Sequence, residues 1–219
     1  RRTRLNTLEG LITKYLQKMQ DCCQDANGIL RASFNQTVTQ THRLSSSGKV
    51  YSIQLQNINR DLKPLFKARN EGWYVMEVDY PQLEFRIAAF LANDAQAKED
   101  ILGGHDVHSH TASILFDDFA TAHGSHKKAL RTKAKADTFK PLFGGSSGTD
   151  DQKRYYKAFK ERYRELTSTQ DAWCDEALRT KELTLPTGLK FYYPKCRLTQ
   201  TGYVEESTRI RNAPIQSFA

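Results

Sequence analysis

A membrane-crossing stretch is the first thing missing from this chain. No apolar run approaches the roughly 20 residues that a transmembrane helix needs, and no signal peptide opens the sequence, so a membrane partner is not expected. Cysteine is scarce as well. Cys22, Cys23, Cys174 and Cys196 show no CxxC spacing, which excludes a zinc ribbon and a paired-thiol redox motif. Four such thiols in 219 residues are expected to stay reduced, as they do inside a cell. Acids fall short of bases, 25 against 33, leaving a formal charge of +8 and a pI near 9.3; an anionic partner is expected. An initiator methionine is also missing. Residue 1 is arginine, so the chain reads as a piece of something longer, and it contains no internal repeat.

The basic residues that are present are concentrated. Between Thr121 and Glu165 twelve cations face five acids, a net +7, while the other 174 residues carry only +1. Within this lobe Arg131, Lys135, Phe139 and Phe143 recur at every fourth position of RTKAKADTFKPLFGG. On a helix these four share a stripe that drifts by about 40° per step, because each residue turns about 100°. The stripe runs from two permanent cations to two flat rings and then reaches Gly144 and Gly145. Phosphates need the first kind of partner, and a base or sugar needs the second. The spacing therefore offers one surface for a whole nucleotide, a solvated basic helix pair being the plainer alternative. Pro141 removes a backbone donor and clashes with the preceding turn, at about 3 kcal/mol in a regular helix. The helix is expected to kink or end near Lys140.

Along the chain, 5–23 keeps the rhythm of an amphipathic helix through Leu8, Leu11, Ile12, Tyr15, Leu16 and Met19. A turn at 25–28, strand within 29–41 and a serine-rich loop at 45–48 come next. WYVMEVD, 73–79, is the clearest strand. Residues 82–92 read as a helix with Leu83, Ile87, Phe90 and Leu91 on one face. Further helices are expected over 106–115, 125–140, 153–167 and 170–181, a hairpin over 184–197, and the first turns of a helix from Glu205. Strands and helices fall in separate blocks, which favours the α+β class.

Asp79 closes the expected 73–79 strand just before Pro81 and a helix. A carboxylate at such a junction is rigidly placed yet reaches open space, which suits a Mg²⁺ ligand; a helix N-cap is the plainer role. The order of the surrounding segments is more specific. SFNQTVTQTHRLSSS (33–47), LQNI (55–58), VDYPQLEFRIAAFLANDAQ (78–96), GGHDVHSHTASILF (103–116), the stripe, and RNAPIQSFA (211–219) together resemble family A DNA polymerases of the DNA polymerase I type. VDYxQxExR and RxxxKxxxFxxxFG carry most of that resemblance. It implies an α+β fold: part of a polymerase palm, antiparallel sheet plus helices, with a mainly helical fingers subdomain. Residues 1–28 would be a thumb-to-palm helix remnant, 29–104 palm, 105–204 fingers and 205–219 the start of a palm helix.

The same resemblance implies roles for single residues. Asp79 would be a catalytic aspartate binding both of two Mg²⁺ ions, assisted by the backbone carbonyl of Tyr80, with Lys135 sharing the catalytic role. Glu84 resembles the steric gate, whose carboxylate fills the space a ribose 2′-OH would need. Arg131 and Lys135 resemble the cations that clamp the triphosphate, and His108 matches a histidine that also touches phosphate. Phe139 matches the ring that packs on the sugar, and Phe143 completes the nucleotide site. Arg43, Gln56, Asn57, Asn212 and Gln216 match polar residues at the primer–template minor groove or the nascent pair. The implied function is template-directed DNA synthesis in replication or repair, moving dNMP from dNTP to a primer 3′-OH by two-metal phosphoryl transfer. The enzyme would be an intracellular monomer, in a bacterial cytoplasm, in a host cell if viral, or in an organelle.

Departures from the family pattern are specific. Phe143 stands where most relatives have tyrosine, His42 where glycine is usual, and Pro81 where serine is usual. The family's second catalytic aspartate sits in a His-Asp-Glu motif that is not among these residues, so the chain alone is expected not to extend a primer. Two other readings compete. His105, Asp106, His108 and His110 could form the metal site of a hydrolase, or the fold could serve nucleic-acid binding without catalysis.

Overall fold

The computed structural model describes residues 2–25, 27–30, 32–36, 38–47 and 53–218. They form two compact units, Arg1–Tyr80 and Pro81–Ala219.

The first unit opens with α1 (Arg2–Leu11), a π-helical turn (Ile12–Leu16) and α2 (Gln17–Asp25), which succeed one another without a break. The amphipathic rhythm thus marks the helix but not the widened turn at its middle. Asn27 (φ 51°) and Gly28 (φ 78°) are left-handed, and the Gly28 N–H donates to the Cys23 carbonyl at 2.7 Å. This capping turn satisfies a carbonyl that the helix leaves open. Met19, Cys22 and Ile53 are buried, with Tyr15, Leu30, Leu55, Ile58 and Phe66 packed on them. The Tyr15 hydroxyl donates to the Asn57 carbonyl at 2.9 Å.

Two expectations fail in this unit. The serine-rich segment is a strand: β2 (Ser45–Ser47) pairs antiparallel with β1 (Ser33–Asn35), Phe34 opposite Ser46. Among the described residues of the 29–41 stretch, these three are the paired ones. Serine is a weak strand former, but cross-strand contacts override propensity, and the Asn35 amide donates to the Ser47 hydroxyl at 2.8 Å. Gly48 lies outside the described residues. The 73–79 segment, by contrast, takes no regular secondary structure and joins no sheet among the described residues. Trp73, Tyr74, Met76 and Val78 are exposed. A strand needs a neighbour to take its N–H and C=O groups, and among the described residues none pairs with it.

The second unit is mainly helical: α3 (Leu83–Leu91), α4 (Ala95–Leu102), α5 (Val107–Leu115), α6 (Gly124–Thr138), α7 (Asp150–Arg162), α8 (Arg164–Thr180) and α9 (Ser207–Phe218). Between α8 and α9, β3 (Glu182–Thr184) and β4 (Lys190–Tyr192) form a hairpin, Leu183 opposite Phe191, that begins before the 184–197 range expected and ends short of it. Helices with small antiparallel sheets fit the α+β class. One core gathers Phe85, Ala88, Ala89, Val107, Leu142, Tyr155, Phe159, Tyr163 and Ile215. Tyr163 stands edge-on to both Phe85 (5.1 Å) and Phe159 (4.8 Å), an arrangement that aromatic quadrupoles favour. The buried face of α3 is therefore Phe85, Ala88 and Ala89, not the face carrying Phe90, which is 75% exposed. The period was right and its phase wrong, because two alanines let the neighbouring rings approach closely.

Buried carboxylates fix the helix ends. Asp94 is fully buried and accepts from Ala97 N at 2.8 Å and from Leu166 N at 3.0 Å, so one side chain serves the N-termini of α4 and α8. Asp100 accepts two hydrogen bonds from Arg162, at 2.8 and 2.6 Å, and one from the Tyr163 hydroxyl at 2.8 Å.

Candidate nucleotide-binding face

The stripe is built by α6 and the turn at its C-terminal end. The helix ends at Thr138, Phe139 leaves helical geometry (φ −105°, ψ 6°), and Pro141–Phe143 form a short 3₁₀ turn. The expected interruption is real and falls one residue before Lys140. Gly144 is left-handed at φ 82°, and a Cβ on Gly145 would lie 2.8 Å from the Lys140 carbonyl. Only glycine fits such a pair. Phe143 consequently leaves the helical stripe and packs half-buried against the core.

Four of the expected residues come together: His108 at the start of α5, with Arg131, Lys135 and Phe139 from α6 and its end. The Phe139 ring lies 5.5 Å from the His108 ring, edge-on, and 5.9 Å from Phe85. Lys135 is exposed and makes no hydrogen bond or ion pair among the described residues. Arg131 is already held, however. Its Nε donates to Asp106 Oδ2 at 2.7 Å and its Nη2 to Asp106 Oδ1 at 2.9 Å. That guanidinium, together with the hydrogen bond from Ser109, keeps the Asp106 carboxyl well below the usual carboxylate range in spite of its partial burial.

His108 has a definite proton arrangement. Thr138 Oγ1 donates to the Ala134 carbonyl at 2.9 Å, spending its one hydrogen. The 3.0 Å contact with His108 Nδ1 therefore has the ring nitrogen as donor, and in the neutral ring Nε2 is the bare acceptor. Burial first, then the fields of Arg131 and Lys135, press the His108 pKa below its ordinary value. Tyr155 locks the same junction from below: its hydroxyl donates to the Thr138 carbonyl at 2.8 Å, and burial raises its pKa to about 12.

The other expected residues have different surroundings. Glu84 sits half-buried in the first turn of α3, after Gln82 with its left-handed backbone (φ 56°). Asn212 and Gln216 lie one turn apart on α9, and the buried Asn212 Oδ1 has no partner among the described residues. Asp79, Tyr80, Arg43, Gln56 and Asn57 belong to the first unit, where all five are exposed. Gln56 Nε2 donates to the Leu44 carbonyl at 3.0 Å, and Asn57 Nδ2 to Gln54 Oε1 at 3.0 Å. His42, standing where glycine is usual, adopts φ 58°, the region glycine favours. Asp79 caps no helix: the residue before α3 is Gln82.

For a metal, Asp79 and the Tyr80 carbonyl offer the oxygen donors that Mg²⁺ takes, so the donor chemistry fits. Among the described residues no group of three His, Cys, Asp or Glu side chains could hold a metal. The hydrolase cluster accordingly does not assemble: Asp106 is engaged by Arg131, His108 by Thr138, and the His105 and His110 rings lie tilted against each other, 5.3 Å apart. The residue that sequence reasoning missed is Asp106 as the partner of Arg131. Its one sequence signal was a helix-start aspartate.

Residues 3–219 match the family described as DNA polymerase family A. The chain belongs to that family. The thermostable DNA polymerase I of Thermus aquaticus is 29% identical over 228 residues, covering 97% of this chain and 26% of the relative. That of Thermus filiformis is 32% identical over 229 residues, with the same coverage, and DNA polymerase I of Bacillus subtilis is 27% identical over 220 residues, 95% of this chain and 23% of the relative. The chain thus spans about a quarter of these relatives. The POL domain of Pol1 from M. smegmatis, in complex with DNA primer-template and dNTP, superposes with a TM-score of 0.65 at 24% identity. It covers 92% of this chain and 37% of that domain, a likeness of fold. No helix of the described residues is long and apolar enough to cross a membrane.

Proposed function

We propose that this chain supplies the nucleotide clamp and part of the catalytic machinery of a DNA-directed DNA polymerase, an intracellular monomer that extends primer–template DNA with dNTPs. The observation that carries this reading is the joint placement of His108, Arg131, Lys135 and Phe139 on α5 and α6 in a chain of DNA polymerase family A. Transfer of dNMP to a primer 3′-OH breaks the bond between the α- and β-phosphates and sends negative charge onto pyrophosphate. Fixed cations aimed at that charge do most of the work in phosphoryl transfer. Lys135 and Arg131 fill that role, Phe139 packs on the sugar, and Glu84 excludes the 2′-OH. Arg43, Gln56, Asn57, Asn212 and Gln216 contact the duplex. The Asp79 carboxylate and the Tyr80 carbonyl would hold Mg²⁺, which when bound neutralises phosphate charge and favours ionisation of the 3′-OH.

The test is primer extension by the gene product that carries this chain. Lys135→Ala is expected to lower the maximal rate by roughly 10²–10³, the loss typical of one aimed donor. Undiminished extension contradicts the assignment, and duplex binding without any extension in the wild type would favour the non-catalytic alternative. Asp79 is the only metal-binding carboxylate that the resemblance assigns here, so the 219-residue chain by itself is expected to give no extension.

A further inference from the structure

Resting on the nucleotide-clamp reading, we propose that Asp106 is a positioning residue: it grips one edge of the Arg131 guanidinium and turns the other toward the triphosphate. An arginine has five N–H donors in a rigid plane. Asp106 uses two of them, on Nε and Nη2. Three remain, two on Nη1 and one on Nη2, along the edge away from the carboxylate. That edge suits a two-point contact with phosphate oxygens.

The carboxylate is itself held firmly. Oδ1 also accepts the backbone N–H groups of His108 (3.2 Å) and Ser109 (3.3 Å), and Oδ2 accepts the Ser109 hydroxyl at 2.6 Å. Asp106 therefore caps α5 and orients Arg131 with the same two oxygens. It also ties the helix that carries His108 to the helix that carries Lys135, so all three phosphate-facing groups share one frame. A side chain fixed before binding loses less freedom when the ligand arrives. With Asp106 40% exposed, water and salt screen its negative charge, so its contribution is the direction that its two hydrogen bonds give the guanidinium.

Asp106→Asn separates the two roles. Asparagine caps a helix about as well as aspartate, but its amide offers a donor where Arg131 Nε needs an acceptor. Titration of the folded 219-residue chain with dGTP at 0.15 M salt, by calorimetry or phosphorus NMR, gives the affinity. Asp106→Asn is expected to weaken binding roughly three- to tenfold, the scale of freezing one long side chain, and to change nothing further in an Arg131→Ala background. The Arg131 Nε–H resonance should persist in the wild type when dGTP is bound. Unchanged or tighter binding in Asp106→Asn, or loss of that resonance on adding dGTP, overturns the proposal by showing that the carboxylate is idle or competes with phosphate. Should Arg131→Ala itself leave dGTP affinity unchanged, the clamp reading fails first. Matching thermal melts of Asp106→Asn and Asp106→Ser, both capping residues, separate loss of orientation from loss of fold.

Discussion

At the residue scale, protonation is where this face differs most from a plain basic surface. His108 is held below its ordinary pKa of 6.5 by burial and by Arg131 and Lys135, and His110 by burial, then His105 and Arg162. As pH falls through 6.5 the unfolded chain takes up these protons before the folded one, so stability falls on acidification in the window just below 6.5. The depressed carboxylates Asp100, Asp106 and Asp137 lose their contribution only below 3.8, outside that window. The melting temperature at pH 5.5 should therefore lie below that at pH 7.5, and a His108→Gln, His110→Gln variant should narrow the gap. A gap that both substitutions leave intact contradicts this account. Glu84 makes a separate prediction: Glu84→Ala in the polymerase should relax discrimination against ribonucleotides, measured as the ratio of kcat/KM for dNTP over NTP. An unchanged ratio rejects the steric-gate role.

At the element scale, helix ends carry the strongest structural prediction. Asp94 takes one N–H from each of two helices. Asp94→Ala removes both caps and leaves the buried Leu166 N–H unpaired, a cost of about 2–4 kcal/mol that urea unfolding can measure. A loss under 1 kcal/mol would show that the site relaxes.

Elements also show what was legible in the sequence. Most helices were, because their 3.6-residue rhythm and their breakers are local: Pro141 announced the end of α6. Helix α4 was not read, and the break between α7 and α8 falls at Tyr163, not between 167 and 170. Strand 73–79 was not, since alternation records a capacity to pair and not a partner. The serine strand β2 was missed for the converse reason, with pairing present and propensity low. Spacing alone put Arg131, Lys135 and Phe139 on one face, whereas His108 entered through the family resemblance and Phe143 leaves the stripe. Asp106 could not be matched to Arg131, because 25 residues and a helix–helix packing separate them.

At the scale of the whole molecule, charge and fold coincide. The +7 lobe between Thr121 and Glu165 lies entirely within the second unit, on α6, α7 and the start of α8. Several of its cations are paired, Lys140 with Asp137, Arg154 with Asp151 and Arg162 with Asp100 on α4, whereas Lys135 has no such partner among the described residues. The proposed clamp rests on the family assignment together with the placement of His108, Arg131, Lys135 and Phe139 on α5 and α6. The most direct measurement is amide NMR of the 219-residue chain titrated with dGTP. Shifts concentrated at His108, Arg131, Lys135 and Phe139, and lost in Lys135→Ala, are the predicted result. Shifts centred elsewhere, or none at millimolar dGTP, would contradict the account.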